Sequence, residues 1–138
     1  MALFNSNLLK EDEHAKKIIS AGEDISPILS AIERKLHAVC SYNGVAIADL
    51  TLDDDDFITS NALNDYLTAF GLVKLFRAYH GSARGEKDVY WDKVQSYSEE
   101  MAEAEKLVNK NTILADGSTV DDEPLGSDAF VQYKPYVM

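Results

Sequence analysis

Between Leu63 and Tyr79 apolar side chains recur so densely that a helix built from them is apolar around most of its circumference. Leu63, Tyr66, Leu67, Phe70, Leu72, Val73, Leu75, Phe76 and Tyr79 fall on successive faces. The polar or small remainder, including Asn64, Thr68, Gly71 and Lys74, steps mostly in threes and drifts around the axis. Such a helix must be contacted on several sides. It is either the centre of a bundle, or it meets the core with one side and another subunit with the other. The spacing predicts a helix from about Asp56 to Tyr79. The run Asp53 to Asp56 then lies in or just before its first turn, where the helix dipole favours negative charge.

Three further segments have the periodicity to cover it. From Ser6 to Gly22, Leu8, Leu9, Ala15, Ile18 and Ile19 recur at helical spacing, although Glu11 and Asp12 intrude on the stripe. Ser26-Pro27 reads as an N-cap followed by proline at the first helical position. Ile28, Leu29, Ile32, Leu36, Val39 and Cys40 then form one apolar stripe, which Asn43-Gly44 ends. Val45 to Leu52 is either a short extended segment or a loop pinned to the core. After a turn over Gly81 to Gly85, Tyr90, Val94, Tyr97, Met101, Ala104 and Val108 make a heptad-like seam in a helix from about Glu86 to Asn109. Trp91 and Leu107 widen that seam, leaving Glu99, Glu100, Glu103 and Glu105 solvated.

The helical pattern stops after Asn111. Residues 112–138 hold five acids and one lysine, yet Phe130, Val131, Tyr133, Tyr136 and Val137 crowd the last nine positions. A solvated tail does not usually concentrate aromatics at its end. The 27 residues span roughly 90 Å if extended at ~3.3 Å each. The expected fold is therefore all-α: a compact four-helix bundle over residues 1–111, and an extended acidic arm with an aromatic tip over 112–138. The five residues just named are the candidate partner-binding residues, unless the tip folds back onto its own domain.

Charge restricts the partners. Of 138 residues, 24 are Asp or Glu and 13 are Lys or Arg, giving a net charge of −11. Phosphate backbones and anionic membranes bind by neutralisation with Lys and Arg, so neither suits this chain. The charge divides as −2 over residues 1–52, −3 over 53–81, −2 over 82–111 and −4 over 112–138. Nucleic-acid mimicry requires acids on one continuous face, and this evenness argues against it. Cys40 is the single cysteine, so no intrachain disulfide can form. Met1 to Asn7 lacks the charged and apolar regions of a signal peptide, and the longest apolar runs are four residues, far short of the ~20 that span a bilayer. A soluble protein of a reducing, cytosol-like compartment is expected.

Reactive constellations are weak. His37 and Cys40 lie three apart on one helix, a possible dyad, but a cysteine on an apolar stripe ordinarily behaves as a small hydrophobe. Glu11 and His14 make one Glu-x-x-His where a di-iron bundle needs two. Asp53 to Asp56 lacks the alternating ligands and central glycine of a calcium loop, and Gly81 to Gly85 lacks the Gly-Lys-Ser/Thr of a phosphate cradle. The chain is expected to be no enzyme and to carry neither metal nor cofactor.

Ile25-Ser26-Pro27-Ile28 through Leu36, Leu63-Asn64-Asp65-Tyr66-Leu67 to Tyr79, and Tyr90-Trp91-Asp92-Lys93-Val94 to Leu107-Val108 together resemble the small helical neck proteins of tailed bacteriophages. These are the head–tail connector or adaptor proteins, including the Mu-like neck family. The resemblance covers residues 25–114. It includes an aromatic-basic patch like Phe76-Arg77-Ala78-Tyr79 closing the long helix, and a short extended segment, Thr112-Ile113-Leu114, after the last one. It implies a homo-oligomeric ring, commonly of twelve copies, in the virion neck after assembly in the host cytoplasm. Such a ring docks beneath the portal protein, is extended by further neck or tail proteins, and passes DNA without gripping it. The arm would then be the portal-binding element, and the acidic surface would keep the channel from holding DNA. The alternative is an acidic helical regulatory protein that binds a basic partner in the bacterial cytosol.

Overall fold

The structure, a computed structural model, describes residues 2–79 and 87–117. Among them the architecture is all-α. A 3₁₀ helix, Ser6–Glu11, leads into α1 (Glu13–Ser20) and α2 (Ser26–Tyr42). A 3₁₀ turn, Ile47–Asp49, precedes α3 (Asn61–Tyr79), followed by α4 (Lys87–Glu105) and a one-turn α5 (Lys110–Ile113). The only extended pairing among these residues is an isolated antiparallel bridge between Leu52 and Ile58.

Helix α3 is the centre. Nine of its residues, from Leu63 to Phe76, are buried, and α4, α2, α5, α1 and the N-terminal 3₁₀ helix all pack on it. Only Asn61, Asp65, Lys74, Arg77 and Ala78 are exposed along it. The apolar excess of this helix is thus consumed within the chain, and no apolar side of it is left for another subunit. At Gly71 the packing with α2 is close. A Cβ there would stand 2.5 Å from Ile32 Cδ1 and 3.0 Å from Leu9 Cδ2.

Helix α4 returns antiparallel along α3. Tyr90 lies against Phe76 with ring centroids 5.4 Å apart, and Tyr97 stacks on the same ring at 6.2 Å. At the other end Ser60 Oγ donates to the Thr112 carbonyl at 2.6 Å. Tyr90 and Val94 are buried, with Tyr97, Met101, Ala104 and Val108 packed beside them, so the expected seam is present. Trp91 and Leu107 are not part of it, at 44% and 64% exposed. Nor is Phe76 part of a surface patch: it is wholly buried, and its two aromatic partners come from α4.

Four boundaries differ from the sequence reading, each because a side chain does local work that periodicity does not record. The first helix is broken at Asp12, whose Oδ1 accepts from His14 N (2.9 Å) and Ala15 N (3.0 Å) and so starts α1 afresh. Ser26 does not cap α2; Asp24 Oδ1 accepts its N–H instead, at 3.0 Å. Asp53 to Asp56 do not open α3. Asp53 Oδ1 accepts from Asp55 N and Phe57 N, Asp56 adopts φ 67°, and the run forms the turn that closes the Leu52–Ile58 bridge. The cap of α3 is Ser60, whose Oγ accepts from Leu63 N at 3.1 Å. Finally, α4 ends at Glu105, and Asn109 with Thr112 forms a reciprocal capping box that starts α5. Thr112-Ile113-Leu114 is therefore helical or capping rather than extended, and Ile113 is 1% exposed in the core.

The packed body reaches Gly117. Its N–H donates to the Thr59 carbonyl at 3.0 Å, and a Cβ there would come within 2.3 Å of that same oxygen. Only glycine allows this approach of the two backbones.

Candidate functional site

A cleft of about 1040 Å³ runs between the N-terminal 3₁₀ helix, α3 and the C-terminal half of α4. Its apolar lining is Leu8, Ala69, Leu72, Ala104 and Leu107, of which Ala69 and Leu72 are buried and Leu107 is exposed. Its walls carry six carboxylates, Glu11, Asp12, Asp65, Glu99, Glu100 and Glu103, against one lysine, Lys106. Antiparallel packing creates this arrangement. Ser96, Glu99, Glu100 and Glu103 recur at three- and four-residue steps, which stack on one helical face, and that face looks across at Asn61, Asp65 and Thr68 of α3.

Asp12 is the structural member of the set. It is 6% exposed. Beyond capping α1, its Oδ2 accepts from Lys93 Nζ and from Tyr97 Oη, both at 2.6 Å. Burial acts to raise its carboxyl, but the Lys93 and Tyr97 hydrogen bonds and the Ala15 N–H outweigh it and hold the group below the usual carboxylate range. Tyr97 is pushed well above an ordinary phenol by burial and by donating to that carboxylate. One buried side chain thus ties α1 to α4 across 81 and 85 residues of sequence.

The remaining acids are less well compensated. Asp65, exposed at its edge of the cleft, is raised first by partial desolvation against its neighbours and then by the negative charge of Glu11. Glu99 and Glu103 form a like-charged i,i+4 pair, which is unfavourable. Glu103 also lies in the last turn of α4, which has no basic residue to offset the negative end of the helix dipole. Lys106 answers only part of this, bonding Glu103 at 3.1 Å with both side chains largely exposed. Among the described residues no three His, Cys, Asp or Glu side chains converge as metal ligands. The negative charge of the cleft is therefore spread along its walls rather than focused on one point.

The sequence candidates fall elsewhere. Phe130, Val131, Tyr133, Tyr136 and Val137 lie outside the described residues, as does the turn Gly81 to Gly85. Cys40 is buried among apolar side chains, which raises its thiol, while His37 is exposed. His14 is half-buried, edge-on to the Tyr90 ring at 6.1 Å, with no hydrogen-bond partner for Nδ1. Among the described residues no helix is long and apolar enough to cross a membrane. No family model, curated protein or solved structure matches the chain.

The cleft itself was hidden from sequence reasoning. Glu99, Glu100 and Glu103 are exposed, as their place outside the seam predicts; what the sequence does not give is that they line the same cleft as Asp65 of α3. The available signal was the clustering of acids toward the end of α4, where a helix ordinarily favours cations.

Proposed function

We propose that this chain is a structural adaptor of a tailed-phage neck: a helical bundle that assembles into a ring on the portal protein, joins further neck or tail proteins, and lets DNA pass. In this reading the four longer helices form the bundle, and the segment after Gly117 is an extended arm. Phe130, Val131, Tyr133, Tyr136 and Val137 make the contact, and the protein acts by binding rather than by catalysis, in the virion and without a membrane.

The observation that carries the reading furthest is the closure of the body. With nine residues of α3 buried within the chain and only polar or small ones exposed, the helices need nothing from outside to complete their core. Assembly contacts then fall to the outer surface and to the chain beyond Gly117, whose root is fastened to Thr59. A fixed root suits an arm that must bear load on a neighbour. The residue resemblance over 25–114 supplies the specific family.

Deleting residues 125–138 tests it. The truncated protein should keep its helical circular dichroism and cooperative melting while losing assembly with a portal ring, read as mass by light scattering. Loss of cooperative melting would make the tip part of the core. A full-length protein that stays monomeric with the portal present would sink the adaptor reading.

The second reading, an acidic regulatory protein that binds a basic partner in the bacterial cytosol, is favoured by one specific observation. Charge that is even along the sequence becomes uneven in space, because six carboxylates gather on one cleft.

A further inference from the structure

We infer that the cleft between the N-terminal 3₁₀ helix, α3 and α4 is a docking groove for a cationic amphipathic helix of a protein partner. The apolar side of that helix would lie on Leu8, Ala104 and Leu107, and its Lys or Arg side chains would reach Glu99, Glu103 and Asp65.

Size, composition and charge each narrow the occupant. From Ser96 to Glu105 the α4 wall runs about 14 Å at ~1.5 Å per residue, between two and three turns of a facing helix. That length accommodates anchors at i, i+3 or i+4, and i+7, the pattern by which amphipathic helices seat in grooves. A small molecule would ordinarily find a mostly apolar pocket with a few convergent polar groups. Here six carboxylates instead share an open cleft with a handful of apolar side chains. The cleft's lining includes Leu107, 64% exposed, the large aliphatic side chain most open to solvent among the described residues.

Charge sets the sign. The carboxylates are kept where they oppose folding: the Glu99–Glu103 pair repels along one helix, Glu103 sits at the wrong end of the dipole, and Glu11 raises Asp65. Consistency across levels is what a folded sequence ordinarily maintains, and local violations concentrate at functional sites. A bound cation-bearing helix relieves all three. The chain's own segment after Gly117 is a poor occupant, since residues 118–138 carry four acids against Lys134.

The test uses the full-length protein and a fluorescein-labelled 14-residue Leu/Lys peptide with leucines at helical i, i+3, i+4, i+7 spacing, followed by anisotropy. Oligolysine of equal charge and a Leu/Glu counterpart are the comparison probes. The Leu/Lys peptide should bind, oligolysine should bind about tenfold more weakly for want of an apolar face, and Leu/Glu should not bind. Replacing Glu99→Gln with Glu103→Gln should weaken Leu/Lys binding about tenfold. The Asp54→Asn with Asp55→Asn pair, an equal charge change at an exposed turn away from the cleft, should leave it within about twofold. The Gln pair removes a like-charge contact and one exposed ion pair, Lys106–Glu103, of the kind worth little, so its melting temperature should not fall, and weakened binding is not unfolding. Equal losses from both pairs, oligolysine binding as tightly as Leu/Lys, or no binding would each overturn the inference. None of these readouts depends on ring assembly, so failure of the adaptor reading and failure of this one are separately visible.

Discussion

Asp12 illustrates what a single residue can do that periodicity hides. In the sequence it interrupts an apolar stripe. In the fold that interruption is the point, because one oxygen caps α1 and the other receives Lys93 and Tyr97. Its partners are 81 and 85 residues away, so no local pattern could reveal them. Ser60 is the contrasting case: a legible capping residue overshadowed by the more conspicuous aspartates before it. Asp12→Asn keeps an acceptor for the cap but sets an amide against an ammonium and a phenol. It should cost about 1.5–3 kcal/mol at pH 7, the range for hydrogen bonds to charged groups. Because the folded carboxyl is held below its ordinary value of 3.8, the unfolded chain takes up this proton first as pH falls. The contribution is fully present above that ordinary value and is lost as pH drops through the lower folded one. Urea unfolding of both proteins from pH 7 down to about pH 2.5 checks this. The gap should close only at the acid end, and a gap unchanged throughout would remove Asp12 from the acid response.

At the scale of elements, strong amphipathic periodicity was sufficient for α2 and for the seam of α4. Both helices bury one stripe, which is the case such patterns describe. Helix α3 was legible for the opposite reason: an apolar surface around most of the circumference left two placements, the centre of a bundle or a seat between the core and another subunit, and only the packed chain shows the first. What composition could not supply was the distance between α2 and α3. Gly71 reads as one more small residue in a helix, where alanine would ordinarily gain about 1 kcal/mol. In the fold its missing Cβ is the space occupied by Ile32 Cδ1. Gly71→Ala should therefore lose about 1 kcal/mol net, overpacking of ~1–3 kcal/mol outweighing the helical gain. Ile32→Val removes the clashing methyl and alone should cost about 0.5–1.5 kcal/mol. Together the new methyl fills the space the old one vacated, so the double variant should be more stable than the sum of the two losses by at least ~0.5 kcal/mol. Denaturant midpoints of the four proteins close this cycle. Strict additivity would mean that α2 and α3 are not in contact at Gly71.

At the scale of the whole molecule, the net charge of −11 is better understood by where it collects than by its size. Tallied along the chain it is nearly even, because Glu11, Asp65 and Glu99 belong to three different segments. Antiparallel return of α4 on α3 is the step that unites them, and it is a tertiary fact with no local signature. Two distributions of the same charge respond differently to salt. If repulsion were diffuse, screening would stabilise the protein a little through every acid, and neutralising three would remove only about that share. If it is concentrated in the cleft that these carboxylates share, those three carry most of the response, since salt screens like charges over a Debye length of ~10 Å at 0.1 M. Raising NaCl from about 50 to 500 mM, over which screening tightens severalfold, should raise the melting temperature of the native protein. The variant combining Asp65→Asn, Glu99→Gln and Glu103→Gln should start from a higher melting temperature at low salt and lose most of that increment. A matched variant, Asp54→Asn, Asp55→Asn and Asp49→Asn, should retain it nearly in full. Equal salt responses in the two triple variants would mean that repulsion is spread over the whole surface and that the cleft stores none of it.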